Sequence, residues 1–113
     1  MAEACLFCRI ASGEIPAKLV AETDDAVAFR DIDPKAPVHV LVVPRQHLTS
    51  LATAEDEELL GQLLMLAARV ARSEGVSESG YRVVANTGAD GGQSVDHLHI
   101  HVLGGRKLTW PPG

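Results

Sequence analysis

The sequence predicts an α+β domain, a mainly antiparallel sheet carrying one long helix and a short N-terminal helix. Three observations lead there. Short β-rich segments are punctuated by turn residues, and one long segment has helical apolar spacing. Near the C-terminal end, His97-Leu98-His99-Ile100-His101 alternates with period two. On a strand such alternation sets three imidazoles on one face and Leu98, Ile100 and Val102 on the other. At 113 residues the chain makes a single domain, 1–113.

Taken in order, Cys5 to Ser12 reads as a short helix stopped by Gly13, with Pro16 on an extended exit. Lys18 to Glu22 and Ala26 to Arg30 read as strands around a Thr23-Asp24-Asp25 turn, followed by a proline-marked loop from Asp31 to Pro37. Val38 to Val43 is apolar on both faces except at His39, the pattern of a central strand covered on both sides. Glu55 to Ser73 is the long helix, with Thr53 and Asp56 as its N-terminal capping pattern and Gly75 as its stop. One stripe runs through Leu59, Leu63, Leu66 and Val70, and an adjacent one through Leu60, Leu64, Ala67 and Ala71. The combined face is wide enough to cover a sheet and a partner subunit. Tyr81 to Ala85 is a strand, Asn86 to Gln93 a Gly-rich connection and His97 to Leu103 the last strand. The tail from Lys107 to Gly113 is too proline-rich to be regular.

A net charge of −5 argues against a broad nucleic-acid surface, which needs a basic face. No apolar run approaches membrane-spanning length, and no basic-then-apolar leader opens the sequence. The expectation is a cytoplasmic protein with no nucleic-acid or membrane partner.

Three neutral imidazoles side by side are too polar and bulky to serve packing alone. The strip has three uses: metal binding, nucleophilic catalysis, or both. Imidazole attacks phosphorus well when its second nitrogen is held by an acceptor. Upstream, Gly88-Ala89-Asp90-Gly91-Gly92-Gln93-Ser94 brings glycines and a hydroxyl near the strip. Such a loop admits phosphate oxygens to backbone N–H groups, or is a plain flexible connection. Cys5-x-x-Cys8 lacks the strand context of a redox motif. It reads as half a zinc site completed by His47 and His97, or as two unmetallated thiols.

Together Asn86-Thr87-Gly88, Gly92-Gln93-Ser94-Val95, His97-x-His99-x-His101 and Val102-Leu103-Gly104-Gly105-Arg106 resemble the histidine triad (HIT) superfamily. The likeness extends through Gly13-Glu14-Ile15-Pro16-Ala17, Ala28-Phe29-x-Asp31-Ile32 and His39-x-Leu41-Val42-Val43-Pro44 to Trp110-Pro111-Pro112-Gly113. Histidine at the third triad position, Gly104-Gly105-Arg106 and the tail resemble the HINT branch of nucleotide-binding proteins.

The resemblance implies a five-stranded HIT-like fold, a homodimer joined across a two-fold axis, and tails reaching toward the neighbouring site. It implies a purine nucleoside phosphoramidase in which His99 attacks the α-phosphorus, with His101, His39 and Ser94 as the other catalytic residues. A nucleotide-binding interaction module with residual hydrolysis, or a dinucleoside polyphosphate hydrolase, is the alternative. By position, Phe7, Ile10, Phe29 and Ile32 would form the base slot and Asp31 would bind the ribose hydroxyls. Asn86, Gln93, Ser94 and Val95 would bind phosphate and ribose, and His99 and His101 would complete the nucleotide site. The set Cys5, Cys8, His47 and His97 would hold a structural zinc. Asp96 departs from the aromatic or apolar residue more common in HIT proteins before the triad. Alternation points it away from the imidazoles, toward packing or a subunit contact.

Overall fold

The computed structural model describes residues 5–113. Its five strands form one antiparallel sheet in the order β1-β2-β3-β5-β4. They are β1 (Leu19–Glu22), β2 (Ala26–Arg30), β3 (Val38–Pro44), β4 (Tyr81–Val84) and β5 (Ile100–Gly104). The helices are α1 (Leu6–Ala11) and α2 (Glu57–Ser73). The expected α+β class is therefore the observed one. No described helix is long and apolar enough to cross a membrane.

β3 is central, paired to β2 and β5, and its alternation divides the molecule. Val40 and Val42 join Ile100, Val102, Leu98 and the α2 stripe Leu59, Leu63, Leu66 and Val70 in the larger core. The small Ala26 and Ala28 of β2 lie in that same core, under the helix. On the opposite face Leu41 and Val43 pack with Val27, Phe29 and the α1 residues Phe7 and Ala11. His39 shares the parity of Leu41 and Val43, so the central strand delivers it to the α1 side. Of the second predicted α2 stripe, Ala67 and Ala71 are buried while Leu64 stays 54% exposed.

Two predicted boundaries need correction. Asp56, rather than Thr53, caps α2: its carboxylate accepts from the Leu59 N–H at 3.1 Å. Thr53 instead closes a capping box with Ser50 around a separate 3-10 turn, Leu51–Thr53. The last strand starts at Ile100, not His97. Before it, the Leu98 N–H donates to the Leu48 carbonyl, which belongs to a loop and not to a sheet partner. The chain is still extended enough for the predicted two-sided arrangement, with Leu98 in the α2 core and His97 and His99 against Phe7.

Candidate active site

On the α1 side of the sheet lies a cavity of about 970 Å³. Phe7 and Ile10 come from α1, Phe29 from β2, and Asp31 and Ile32 from the following loop. Ser94, Val95, His99 and His101 form the polar end, so nine of the predicted nucleotide-site residues do line one space. Ile32 is 99% exposed and stands at the lip rather than in the slot. Ile15, Pro16, Ala17, Lys18, Pro34 and Leu41 also line the wall without having been assigned from sequence.

Asn86 and Gln93 are not among the lining residues. The Gln93 side chain is occupied: its Oε1 accepts from the Gly88 N–H, and its amide donates to the Thr49 and Val95 carbonyls. It ties the Gly-rich loop to the site instead of facing a ligand. Gly91 serves the same closure, because a Cβ there would collide with the Thr87 carbonyl oxygen. Asp96 is exposed and makes no ion pair among the described residues.

Hydrogen bonds fix which nitrogen of each histidine carries a proton. His99 Nδ1 lies 2.7 Å from the His97 carbonyl, which can only accept. Nδ1 is therefore the protonated nitrogen, and Nε2 keeps its lone pair. The Phe7 ring stands edge-on to this imidazole at 5.1 Å, restricting its rotation.

A second chain of bonds stands beside it. The Lys35 N–H donates to His39 Nδ1 at 3.0 Å, so neutral His39 carries its proton on Nε2. That nitrogen is 2.9 Å from His101 Nδ1 and 3.5 Å from the Asp31 carboxylate. His101 then accepts at Nδ1 and is protonated at Nε2, a buried atom with no partner among the described residues. Burial pushes the His101 imidazole down to about 4, with His99 and His39 as further opposing neighbours. Burial also lowers His39, against the pull of Asp31. Both rings are neutral at neutral pH, which the bond pattern requires.

Asp31, His39 and His101 are close enough to suggest a metal set. The Lys35 N–H argues against it. A metal on His39 Nε2 would drive the proton to Nδ1 and leave two donors facing each other. This cluster is built to pass hydrogen bonds.

The second cluster has the opposite character. Cys5, Cys8, His47 and His97 bring their ligand atoms within 4.8 Å of one another. His97 Nε2–H donates to the Pro44 carbonyl at 2.9 Å, turning its Nδ1 lone pair toward the thiols. His97 Nδ1 is 3.2 Å from Cys5 Sγ and 3.2 Å from His47 Nδ1, and Cys8 Sγ is 3.3 Å from His47 Nδ1. Burial lowers the His97 pKa, keeping it a neutral ligand. The four could hold a metal ion. His97 thus lies in one cluster and His101 in the other.

The HIT domain family matches residues 12–108. This chain belongs to that family. An uncharacterized HIT-like protein of Synechococcus elongatus is 55% identical over the full length of both chains. The HIT fold of this chain superimposes on the crystal structure of a HIT family hydrolase from Legionella pneumophila with a TM-score of 0.94. That pair is 51% identical, covering 96% of this chain and 99% of the other. A histidine triad nucleotide-binding protein from Candida albicans is more distant, with a TM-score of 0.84 and 32% identity over 96% of this chain and 83% of its own.

Proposed function

We propose that this HIT protein hydrolyses the P–N bond of purine nucleoside phosphoramidates, of the adenosine 5′-phosphoramidate type, through a nucleotidyl-histidine. The observation that carries the reading is the tautomer of His99. An imidazole whose Nδ1–H is committed to a carbonyl leaves Nε2 as the nucleophilic nitrogen, and His99 lines a cavity of about 970 Å³. His99 Nε2 attacks the α-phosphorus, the P–N bond breaks, and the amine departs with a proton. Water then attacks the same phosphorus, releasing the nucleoside monophosphate and restoring the histidine. His101 lines the cavity beside His99 and carries a buried Nε2–H with no partner among the described residues. Ser94 at the cavity wall suits protonation of the leaving nitrogen. Phe7, Phe29 and Ile10 offer apolar area and aromatic edges to a base, and Asp31 offers acceptors to ribose hydroxyls.

Zinc fits the second cluster. Tetrahedral zinc with Zn–N near 2.0–2.1 Å and Zn–S near 2.3 Å sets N···N edges at about 3.3 Å and N···S edges at about 3.5 Å. The observed separations of 3.2 to 3.5 Å match that set. Burial raises the Cys8 thiol to about 11, so uptake of the ion at neutral pH displaces thiol protons. Zinc's role would be structural, pinning His97 and hence the carbonyl that orients His99.

The proposed assembly is a homodimer. Among the described residues β4 pairs only with β5 and leaves one edge of the sheet free, with Tyr81 and Val83 exposed on it. Equilibrium sedimentation should give twice the chain mass, and a monomer at micromolar concentration would reject this part.

The activity is tested by steady-state hydrolysis of adenosine phosphoramidate by wild type and His99→Ala. The expected outcome is loss of at least about a thousandfold in kcat with nucleotide binding retained, as for removal of a covalent nucleophile. Equal turnover would refute the mechanism. Wild-type rates at background with tight mononucleotide binding would favour an interaction module. Faster cleavage of dinucleoside polyphosphates would move the substrate class.

A further inference from the structure

The antiparallel register of the last two strands gathers charge that the sequence scatters. Tyr81 lies opposite Gly104 and Arg82 opposite Leu103, so the start of β4 meets the exit of β5. Arg106 and Lys107 follow that exit directly. With Arg82 they line a small pocket of about 250 Å³, whose other walls are Ser79, Gly80, Tyr81 and Leu108. None of these residues lines the histidine cavity.

No carboxylate lines this pocket. Among the described residues Arg9, Arg30, Lys35 and Arg45 pair with acids, whereas Arg82, Arg106 and Lys107 pair with none. A chain of net charge −5 thus sets three uncompensated cations around one hollow. The hollow beside the N-terminus of α2 is the contrast, because Arg45 there sits among Asp24, Asp25, Asp56 and Glu58. Cations this close repel one another, and a bound anion relieves that repulsion.

The two guanidiniums are also held in place. Arg82 Nη2 donates to the Thr109 carbonyl at 2.8 Å. Arg106 donates through Nη2 to the Lys35 carbonyl at 3.0 Å and through Nη1 to the Lys107 carbonyl at 3.2 Å. Neutral carbonyls fix the direction of each fork without cancelling its charge. A guanidinium carries five N–H donors, so both keep donors for a further acceptor. Donors already oriented bind at lower entropic cost than loose ones, and the planar fork matches phosphate oxygens. The pocket is smaller than the roughly 300 Å³ at which drug-sized ligands begin, which suits a small anion.

We propose that Arg82, Arg106 and Lys107 form a binding site for a phosphate dianion, supplied as inorganic phosphate or as the head of a small phosphomonoester. The site stands apart from the P–N chemistry proposed above and does not rest on it.

The experiment is an amide NMR titration of the full-length protein at low ionic strength, where exposed charges are least screened. Inorganic phosphate is the ligand in one arm and glycerol phosphate in the other, with sodium chloride at matched ionic strength as the blank. Saturable shifts are expected at the Gly80, Tyr81 and Lys107 amides with inorganic phosphate and none with chloride. The same response to glycerol phosphate would support a site that admits a substituent, and its absence would assign the site to the free ion. Arg82→Gln and Arg106→Gln should each weaken binding by about tenfold or more, as for loss of a hydrogen bond to a charged group. Arg69→Gln, which alters an exposed α2 cation without an acid partner among the described residues, should bind as wild type. Shifts confined to Ser94 and Val95 would put the phosphate in the histidine cavity and overturn the site. Wild-type affinity in the Arg82→Gln, Arg106→Gln double variant would overturn it too. The wild-type titration decides by itself should a variant fail to fold.

Discussion

His101 shows how one residue links burial, proton placement and stability. Its ordinary value lies near 6.5 and burial takes it to about 4 in the folded chain. Between those values the unfolded chain binds the extra proton and the folded one does not, so stability falls as pH drops. The contribution is complete above about pH 6.5 and is lost progressively down to about pH 4, amounting to at most about 3 kcal/mol. His39 and His97, both lowered by burial, act in the same direction. Urea unfolding of wild type at pH 7 and pH 5 should show the acid sample less stable, and His101→Asn should narrow the difference to what His39 and His97 contribute. Equal midpoints at the two pH values would mean that the imidazole is not buried neutral. The residue types of the triad were readable in the sequence, but their tautomers were not. Those depend on three backbone atoms, the His97 and Pro44 carbonyls and the Lys35 N–H, which any residue would supply.

Among the elements, β3 and α2 carry the architecture. Leu63 is fully buried where the helix meets the sheet. Leu63→Ala should cost about 2–5 kcal/mol in chemical denaturation, through lost burial and an incompletely collapsed cavity. Asp56→Ala removes the α2 cap and should cost about 1 kcal/mol, whereas a change at Thr53 should leave α2 itself untouched. A larger effect at Thr53 than at Asp56 would contradict the cap assignment. Strand and helix identities followed from periodicity because tertiary packing agreed with it. Boundaries did not follow where a loop competed for a bond. Leu98 pairs with Leu48 instead of the sheet, so the triad starts before the strand does. Nor did periodicity reveal the Ile15-to-Lys18 wall, since an irregular segment reaches the cavity through chain geometry alone.

For the molecule as a whole, the two clusters share a strip of five residues and divide its work. The thiol–imidazole cluster joins α1, the loop at His47 and the approach to β5, so an ion there ties three distant segments. Chelation of a zinc-loaded sample should lower Tm by several degrees, and added zinc should restore it. An unchanged Tm would remove the metal from the account. The relay cluster joins β3, β5 and the 31–35 loop, and leaves His99 facing the cavity with a free lone pair. The proposed nucleotidyl-histidine is covalent, so intact mass after rapid quenching with adenosine phosphoramidate detects it. Wild type should carry a nucleotidyl group that maps to His99 and is absent from His99→Ala. Steady turnover with no adduct at any quench time, or an adduct that persists in His99→Ala, would contradict the account.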